Sequence, residues 1–277
     1  TNVLLLNTHF TPSDRSQKIY IAKEKLCQGD KVVLISTQLI EAGVDIDFPV
    51  LYRDFATISS IVQSAGRCNR NGKNAEKGKV VVVRLGTNQG ERSDLIYRGS
   101  DKELIKFSRE SFYESENCEE KDMLNIQKAF FEKICDQLIF GAYGEKLKNN
   151  LMEDISQCMY EKVGKFSLVD NNIFGEECLY YVPRNGDDNN FELLLKYQKN
   201  LKESLLHDDK ISIIRCHKRK LSNQLKKMAN RIVQIRIKPN QSKPITSSGE
   251  DYNGLYKIST KCYNFDTGII IDGDNYL

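Results

Sequence analysis

The chain has 277 residues and carries 41 Lys and Arg against 38 Asp and Glu, a net charge of only +3. At about 100–200 residues per domain the length suggests two domains, and the near balance of charge excludes a polycationic nucleic-acid coat, so any such surface must come from local clustering. Eight cysteines without a Cys-x-x-Cys pair and three histidines exclude zinc-finger spacing and a multi-histidine metal centre and point to free thiols in a reducing cytoplasm, while no apolar run approaches the roughly 18 residues of a membrane span.

Short apolar runs and helical stretches alternate through the first part of the chain. Val3–Leu6 reads as a buried strand, followed by a helix with Ser13 as N-cap and Gly29 as its stop. Val32–Ile35 and Val50–Tyr52 are further β-rich runs, Ile58–Cys68 suits a helix, and Val80–Leu85 is a fourth strand. Strands separated by helices imply an α/β class with a parallel sheet, whose ligands bind at the carboxyl ends of the strands. The polar, glycine-containing stretch Gly86–Ser100 marks a boundary. Residues 101–162 lack proline and read as several helices. From about Val163 the composition shifts toward a small α+β domain, with strands at Ser167–Val169, Leu179–Val182, Val233–Ile237 and Ile269–Ile271. The opening on Thr1, inside an apolar run, is expected to be a cut within a longer polypeptide.

Two segments carry the chemistry. In the helix, Gln63, Arg67 and Arg70 fall at i, i+4 and i+7, beside a buried face of Ile58, Ile61, Val62 and Ala65. Gly66, within that helix, costs roughly 1 kcal/mol relative to Ala, which makes sense where something approaches the backbone closely. Arginine's planar, permanently charged fork suits phosphate oxygens, so this face is fit to reach a triphosphate across a cleft. The second segment runs from Ser36 to Asp47. Thr37 caps the turn after a strand, Gly43 breaks it, and Asp45 is presented next to the arginine helix.

These two segments resemble motifs V and VI of superfamily 2 helicases. Their wording is closest to the signature helicase–nuclease of type I CRISPR systems, through Ser36-Thr37-Gln38, Glu41, Gly43, Asp45, Asp47-Phe48 and Gln63, Gly66-Arg67, Asn69-Arg70, with Arg53-Asp54 between them. Leu4–Arg15 resembles motif IV, and Tyr263, Phe265-Asp266 and Gly268 resemble the family's C-terminal ending. Motif IV departs from the family's frequent His-Ser-Arg-Phe by reading Asn7-Thr8-His9-Phe10, and Ser64 stands where Arg is frequent.

The resemblance implies a second RecA-like lobe over residues 1–88, a helical linker region over 89–162 and a C-terminal accessory domain over 163–277. It makes Arg67 and Arg70 arginine fingers and Gln63 a γ-phosphate sensor. It gives Asp45 and Gly43 to the nucleotide, with Asp45 on the ribose, and Thr37, Gly43 and Thr8 to the nucleic-acid backbone. The partners implied are single-stranded DNA, an upstream ATP-binding lobe that holds most of ATP and Mg²⁺, an upstream nuclease domain and a guide-RNA effector complex, with no membrane.

None of the Gly-Lys pairs at 72–73, 78–79 and 164–165 is followed by Ser or Thr, so the chain lacks a Walker A loop and is expected to be inactive alone. His207-Asp208 is a lone pair and reads as an exposed loop. Nine cations between Arg215 and Lys238, with no acid among them, form either a solvated face or a phosphate-tracking surface. The second reading is preferred, with Lys218, Arg219 and Lys220 as its centre. Two alternatives to a DNA motor are weighed. A generic superfamily 2 RNA helicase is disfavoured by Asn69, where glycine is the common RNA-helicase residue. A non-catalytic helicase-lobe adaptor would have no need of Gln63, Arg67 and Arg70.

Overall fold

Hydrophobic, β-branched runs at the start of the chain form two parallel strand–helix–strand units. Strands β1 (Asn2–Leu6) and β2 (Val32–Ser36) pair in parallel, Leu6 opposite Ser36, connected by α1 (Pro12–Cys27). β3 (Val50–Asp54) and β4 (Lys79–Val83) pair in parallel across α2 (Ile58–Ala65). The computed structural model describes residues 2–41, 44–72, 77–88, 90–97, 101–112, 118–136, 151–164, 175–184, 188–237 and 241–271. The chain is mixed α/β and divides into two compact units, one of residues 1–39 with 169–277 and the other of 40–168. Among the described residues no helix is long and apolar enough to cross a membrane.

In the first unit, α1 is capped by Thr11 rather than by Ser13. The Thr11 hydroxyl accepts the Asp14 amide at 3.1 Å, and Pro12 occupies the first helical position, where its missing N–H removes nothing. The helix stops at Gly29, whose φ of +79° lets the Gly29 and Asp30 amides return to Leu26 and Lys25.

The rest of this unit is a four-stranded sheet in the order β8-β7-β10-β9, comprising β7 (Glu176–Tyr181), β8 (Ile232–Ile237), β9 (Thr246–Tyr252) and β10 (Leu255–Ile258). Alternation along β7 decides its two faces. Tyr181 turns to the helical hairpin of α7 (Asn190–Leu206) and α8 (Ile211–Met228), joining Phe191, Leu194, Leu221 and Met228. Cys178 and Tyr180 turn to the opposite face, which is closed by Ile269 and Ile271 from the last short hairpin, β11 (Tyr263–Asn264) and β12 (Gly268–Ile269). His207 and Asp208 lie in the turn between α7 and α8, as expected. The strand expected at Ser167–Val169 lies outside the described residues.

Asp188 ties the start of the hairpin to the sheet. It accepts hydrogen bonds from the Tyr181 hydroxyl at 2.7 Å, the Arg184 amide at 3.0 Å, and the Asn190 amide and side chain at 3.0 and 2.7 Å. Burial works to raise its pKa, but these donors outweigh burial and hold the carboxyl at about 2, below its ordinary 3.8. Its stabilisation is therefore complete above the ordinary value and is lost as pH falls toward about 2. We expect Asp188→Ala to cost about 1.5–3 kcal/mol at neutral pH, as for hydrogen bonds to a charged group. Urea melts of both proteins at several pH values should show that difference shrinking between pH 3.8 and about 2. A difference that stays constant across this window would assign the loss to packing instead.

The second unit is helical behind its strand pair. After the short hairpin β5 (Gly86–Thr87) and β6 (Gly90–Glu91) come α3 (Arg92–Ile96), α4 (Asp101–Phe112), α5 (Glu120–Ile134) and the single turn α6 (Tyr160–Val163). Fully buried Ile58 of α2 packs on Phe107 of α4 and Phe130 of α5. Burial of each such side chain is worth about 1.5–3 kcal/mol. The Ser108 hydroxyl accepts the Ile58 amide at 3.1 Å, so α4 supplies the cap that Thr57 does not. The helices expected after residue 100 thus form the apolar backing of α2.

Candidate functional site

The residues singled out in the sequence gather in two places, one in each unit. In the second unit, α2 ends at Ala65, three residues earlier than expected, with Gly66 as its C-cap. The chain then turns and makes a parallel bridge between Cys68 and Phe48. The Phe48 amide donates to the Arg67 carbonyl at 3.1 Å, and the Asn69 amide to the Phe48 carbonyl at 2.9 Å. Helical spacing therefore places Gln63, which is exposed, but does not place Arg70. Arg70 comes after Asn69, whose φ of +48° redirects the chain. Asn and Gly both enter this left-handed region readily, so residue 69 reports backbone geometry and does not separate a DNA from an RNA enzyme.

Arg67 and Arg70 are held differently. Arg67 is half-buried and donates to two backbone carbonyls of the preceding segment, Nε to Ile40 at 3.1 Å and Nη2 to Glu41 at 2.8 Å. Arg70 Nη1 lies 3.3 Å from Asp45 Oδ1, with the two side chains 40% and 72% exposed. At that exposure the ion pair itself is worth about 0–1 kcal/mol, and Arg70 Nη1 also donates to the Val44 carbonyl at 3.4 Å. Asp47 fixes the turn itself, its carboxylate accepting the Arg70 amide at 2.8 Å and the Asn71 amide at 3.1 Å. Gly43 lies outside the described residues.

Glu41 and Arg53 have positions in the resemblance and Ser64 departs from it, but neither these nor Ser60 has a role from sequence reasoning. Together they form a largely buried network. Glu41 Oε1 accepts from Arg53 Nη2 at 2.9 Å, from the Ser60 hydroxyl at 2.6 Å and from the Ser64 hydroxyl at 3.4 Å. Glu41 is thus anchored by its carbonyl to Arg67 and by its carboxylate to β3 and α2. The signal that could have found this network is a pair of serines at i and i+4 on the apolar face of α2. Such residues are buried only when a partner satisfies them. Gly66 has no comparable internal reason: a Cβ there would meet only Gln63 O at 3.5 Å and Val62 O at 3.7 Å, ordinary contacts.

In the first unit, Thr8 lies two residues past Leu6 of β1 and Thr37 directly follows Ser36 of β2, both exposed. The Thr37 amide donates to the Leu6 carbonyl at 3.3 Å, continuing the ladder by one residue. The basic run is divided by the fold. Arg231 is drawn onto Asp14 at 3.1 Å and Arg236 pairs with Glu177, so distant acids neutralise two cations that have none nearby in sequence. Lys238 lies outside the described residues. Arg215, Lys218, Arg219, Lys220, Lys226 and Lys227 are exposed on α8, opposite the face buried by Leu221, Gln224 and Met228. At about 100° per residue Lys218, Arg219 and Lys220 spread over half the circumference, whereas Arg215, Arg219 and Lys226 align along the outer face.

Comparison with known proteins bears on residues 1–73, which match the family described as CRISPR-associated nuclease/helicase Cas3, C-terminal. A CRISPR-associated nuclease/helicase Cas3 of Haloferax volcanii is 47% identical over 81 residues, covering 29% of this chain and 9% of that protein. The corresponding Methanothermobacter thermautotrophicus protein is 30% identical over 166 residues, covering 59% of this chain and 19% of that protein. The crystal structure of T. fusca Cas3 aligns with 93% of this chain and 32% of its own, at 15% identity and a TM-score of 0.47. The aligned region thus spans at most a fifth of these two curated relatives.

Proposed function

We propose, from the match of residues 1–73 to the Cas3 nuclease/helicase C-terminal family, that this chain is the second half of an ATP-driven DNA translocase of CRISPR defence. Residues 1–88 act as the second RecA-like lobe, 89–162 as its helical backing and 163–277 as an accessory domain. The observation that carries this reading is the turn at Gly66–Asn71. Asp47 and the Phe48–Cys68 bridge fix this turn, Arg70 pairs there with Asp45 in the open, and Arg67 is oriented by the Ile40 and Glu41 carbonyls. Such an arrangement suits the far wall of a nucleotide site whose phosphates and Mg²⁺ are gripped by an upstream lobe. Arg67 and Arg70 stabilise charge on the transferring phosphoryl group, Gln63 senses it, and Asp45 accepts a ribose hydroxyl. Gly66 leaves room for a close approach that the described residues do not themselves make.

Thr8 and Thr37, at the carboxyl ends of neighbouring parallel strands, stand where α/β sheets bind ligands. We assign them to the backbone of single-stranded DNA. A guide-RNA effector complex delivers that strand, and a nuclease domain upstream in the complete protein cuts it. The division of labour predicts that this chain alone releases no phosphate from ATP, with or without single-stranded DNA. Turnover by the isolated chain that survives Arg67→Ala would overturn the half-motor reading.

A further inference from the structure

The two segments furthest apart in the sequence meet in the first unit. The inward face of α1 consists of Asp14, Lys18 and Ala22, at i, i+4 and i+8, so two of its three buried residues are charged. The C-terminal hairpin and Arg231, in the turn just before β8, satisfy them. The Tyr263 hydroxyl donates to Asp14 and accepts the Thr11 amide at 3.0 Å. Arg231 donates to both Asp14 oxygens at 3.1 and 3.3 Å and, through Nε, to the Val182 carbonyl at 3.1 Å. Lys18 Nζ lies between two rings, 4.4 Å from the centroid of Phe10 and 4.5 Å from that of Phe265. The Ile269 amide donates to the His9 carbonyl at 3.0 Å. Gly268 allows this approach: its φ is +81°, and a Cβ there would stand 2.7 Å from His9 O and 2.8 Å from His9 C.

Apart from the Arg231–Val182 bond, which anchors Arg231 itself, each of these contacts bears on the loop after β1 or on the first two turns of α1. The loop is braced from within as well, since the Asn7 side chain accepts the His9 amide at 2.9 Å. Thr8 is left as the exposed residue between two anchored neighbours. We propose that the C-terminal hairpin Tyr263–Ile269 is the positioning element of this loop, holding residues 7–11 in the geometry that presents Thr8 to the DNA backbone. The inference rests on the assignment of that strand end to DNA, and it gives the hairpin of residues 263–269 a function in substrate grip.

The test uses the complete protein and a DNA titration of its ATPase activity. Tyr263→Phe removes one hydroxyl and keeps the ring. Basal hydrolysis without DNA should be unchanged, while the single-stranded DNA concentration for half-maximal stimulation rises about 3- to 10-fold, the effect of one hydrogen bond. Thr8→Ala should raise it similarly, and the double variant should be no worse than Thr8→Ala alone, because a misplaced contact and an absent one are the same loss. Additive effects, or an unchanged half-saturation in Tyr263→Phe where Thr8→Ala shows a defect, would overturn the proposal. If Tyr263→Phe is defective and Thr8→Ala is not, the hairpin's role stands and only the choice of Thr8 as the contact falls. If neither changes, both the proposal and the DNA assignment of this loop fail. Gly268→Ala, with its melting midpoint measured alongside, provides a second disruption acting at His9 rather than at Asp14.

Discussion

In the complete protein, Arg67→Ala and Arg70→Ala are each expected to lower DNA-stimulated ATP hydrolysis by about 10³–10⁵-fold while DNA binding persists. That range corresponds to roughly 4–7 kcal/mol of barrier. The two variants should differ in a way their surroundings dictate. Arg67 donates to the Ile40 and Glu41 carbonyls, so its loss also removes two hydrogen bonds and should lower the melting midpoint. Arg70 is held mainly by an exposed pair with Asp45, so its loss should leave the melting midpoint within the scatter of surface substitutions. Lysine should rescue neither rate, because an ammonium cannot make the bidentate fork. Near-normal turnover in either alanine variant would remove that residue from the phosphate-facing wall.

The second large effect concerns α8. Changing Arg215, Arg219 and Lys226 together to Ala removes the aligned outer row. If each touches one phosphate, the salt slope of single-stranded DNA binding should become shallower by about 2, at about 0.7 per contact. Over a fourfold salt range that amounts to about a 20-fold smaller change in affinity. The contiguous triple of Lys218, Arg219 and Lys220 includes only one residue of that row and should change the slope by about 0.7. Equal effects of the two triples would mean that DNA sees the helix as a diffuse charge, not along one line. No effect of either would make α8 a solvated face or a docking surface for the effector complex. Lys226 and Lys227 have a structural reason of their own, since cations in the last turn complement the helix dipole.

Local patterning determined much of this protein. The alternation of β-branched runs with helical stretches located the strands of both parallel pairs to within two residues, because β-branched residues favour extended backbone; the burial expected of Val3–Leu6 is not met, since Val3, like Val33, Ile35, Val50 and Val82, is exposed. The segments holding Thr37, Asp45, Gln63, Arg67 and Arg70 stood out because backbone turns require particular residue types at short spacing; the nucleotide and DNA roles of these residues belong to the proposal.

Tertiary structure decided what lay beyond that range. Helical periodicity put Arg70 on the face of α2, but the Phe48–Cys68 bridge ends the helix early, and a partner strand 20 residues away in sequence is invisible to a local pattern. Glu41 had no assigned role because its partners Arg53, Ser60 and Ser64 come from later elements. Cations at 231 and 236 looked available until Asp14 and Glu177 arrived from other parts of the chain. The inner face of α1 was the hardest to read. A buried Asp14 and Lys18 contradict the rule that apolar residues mark the core, and they are stable there only because Tyr263, Arg231 and Phe265, more than 200 residues further on, return to satisfy them. Burial of charge is a property of pairs, and only the fold brings such pairs together.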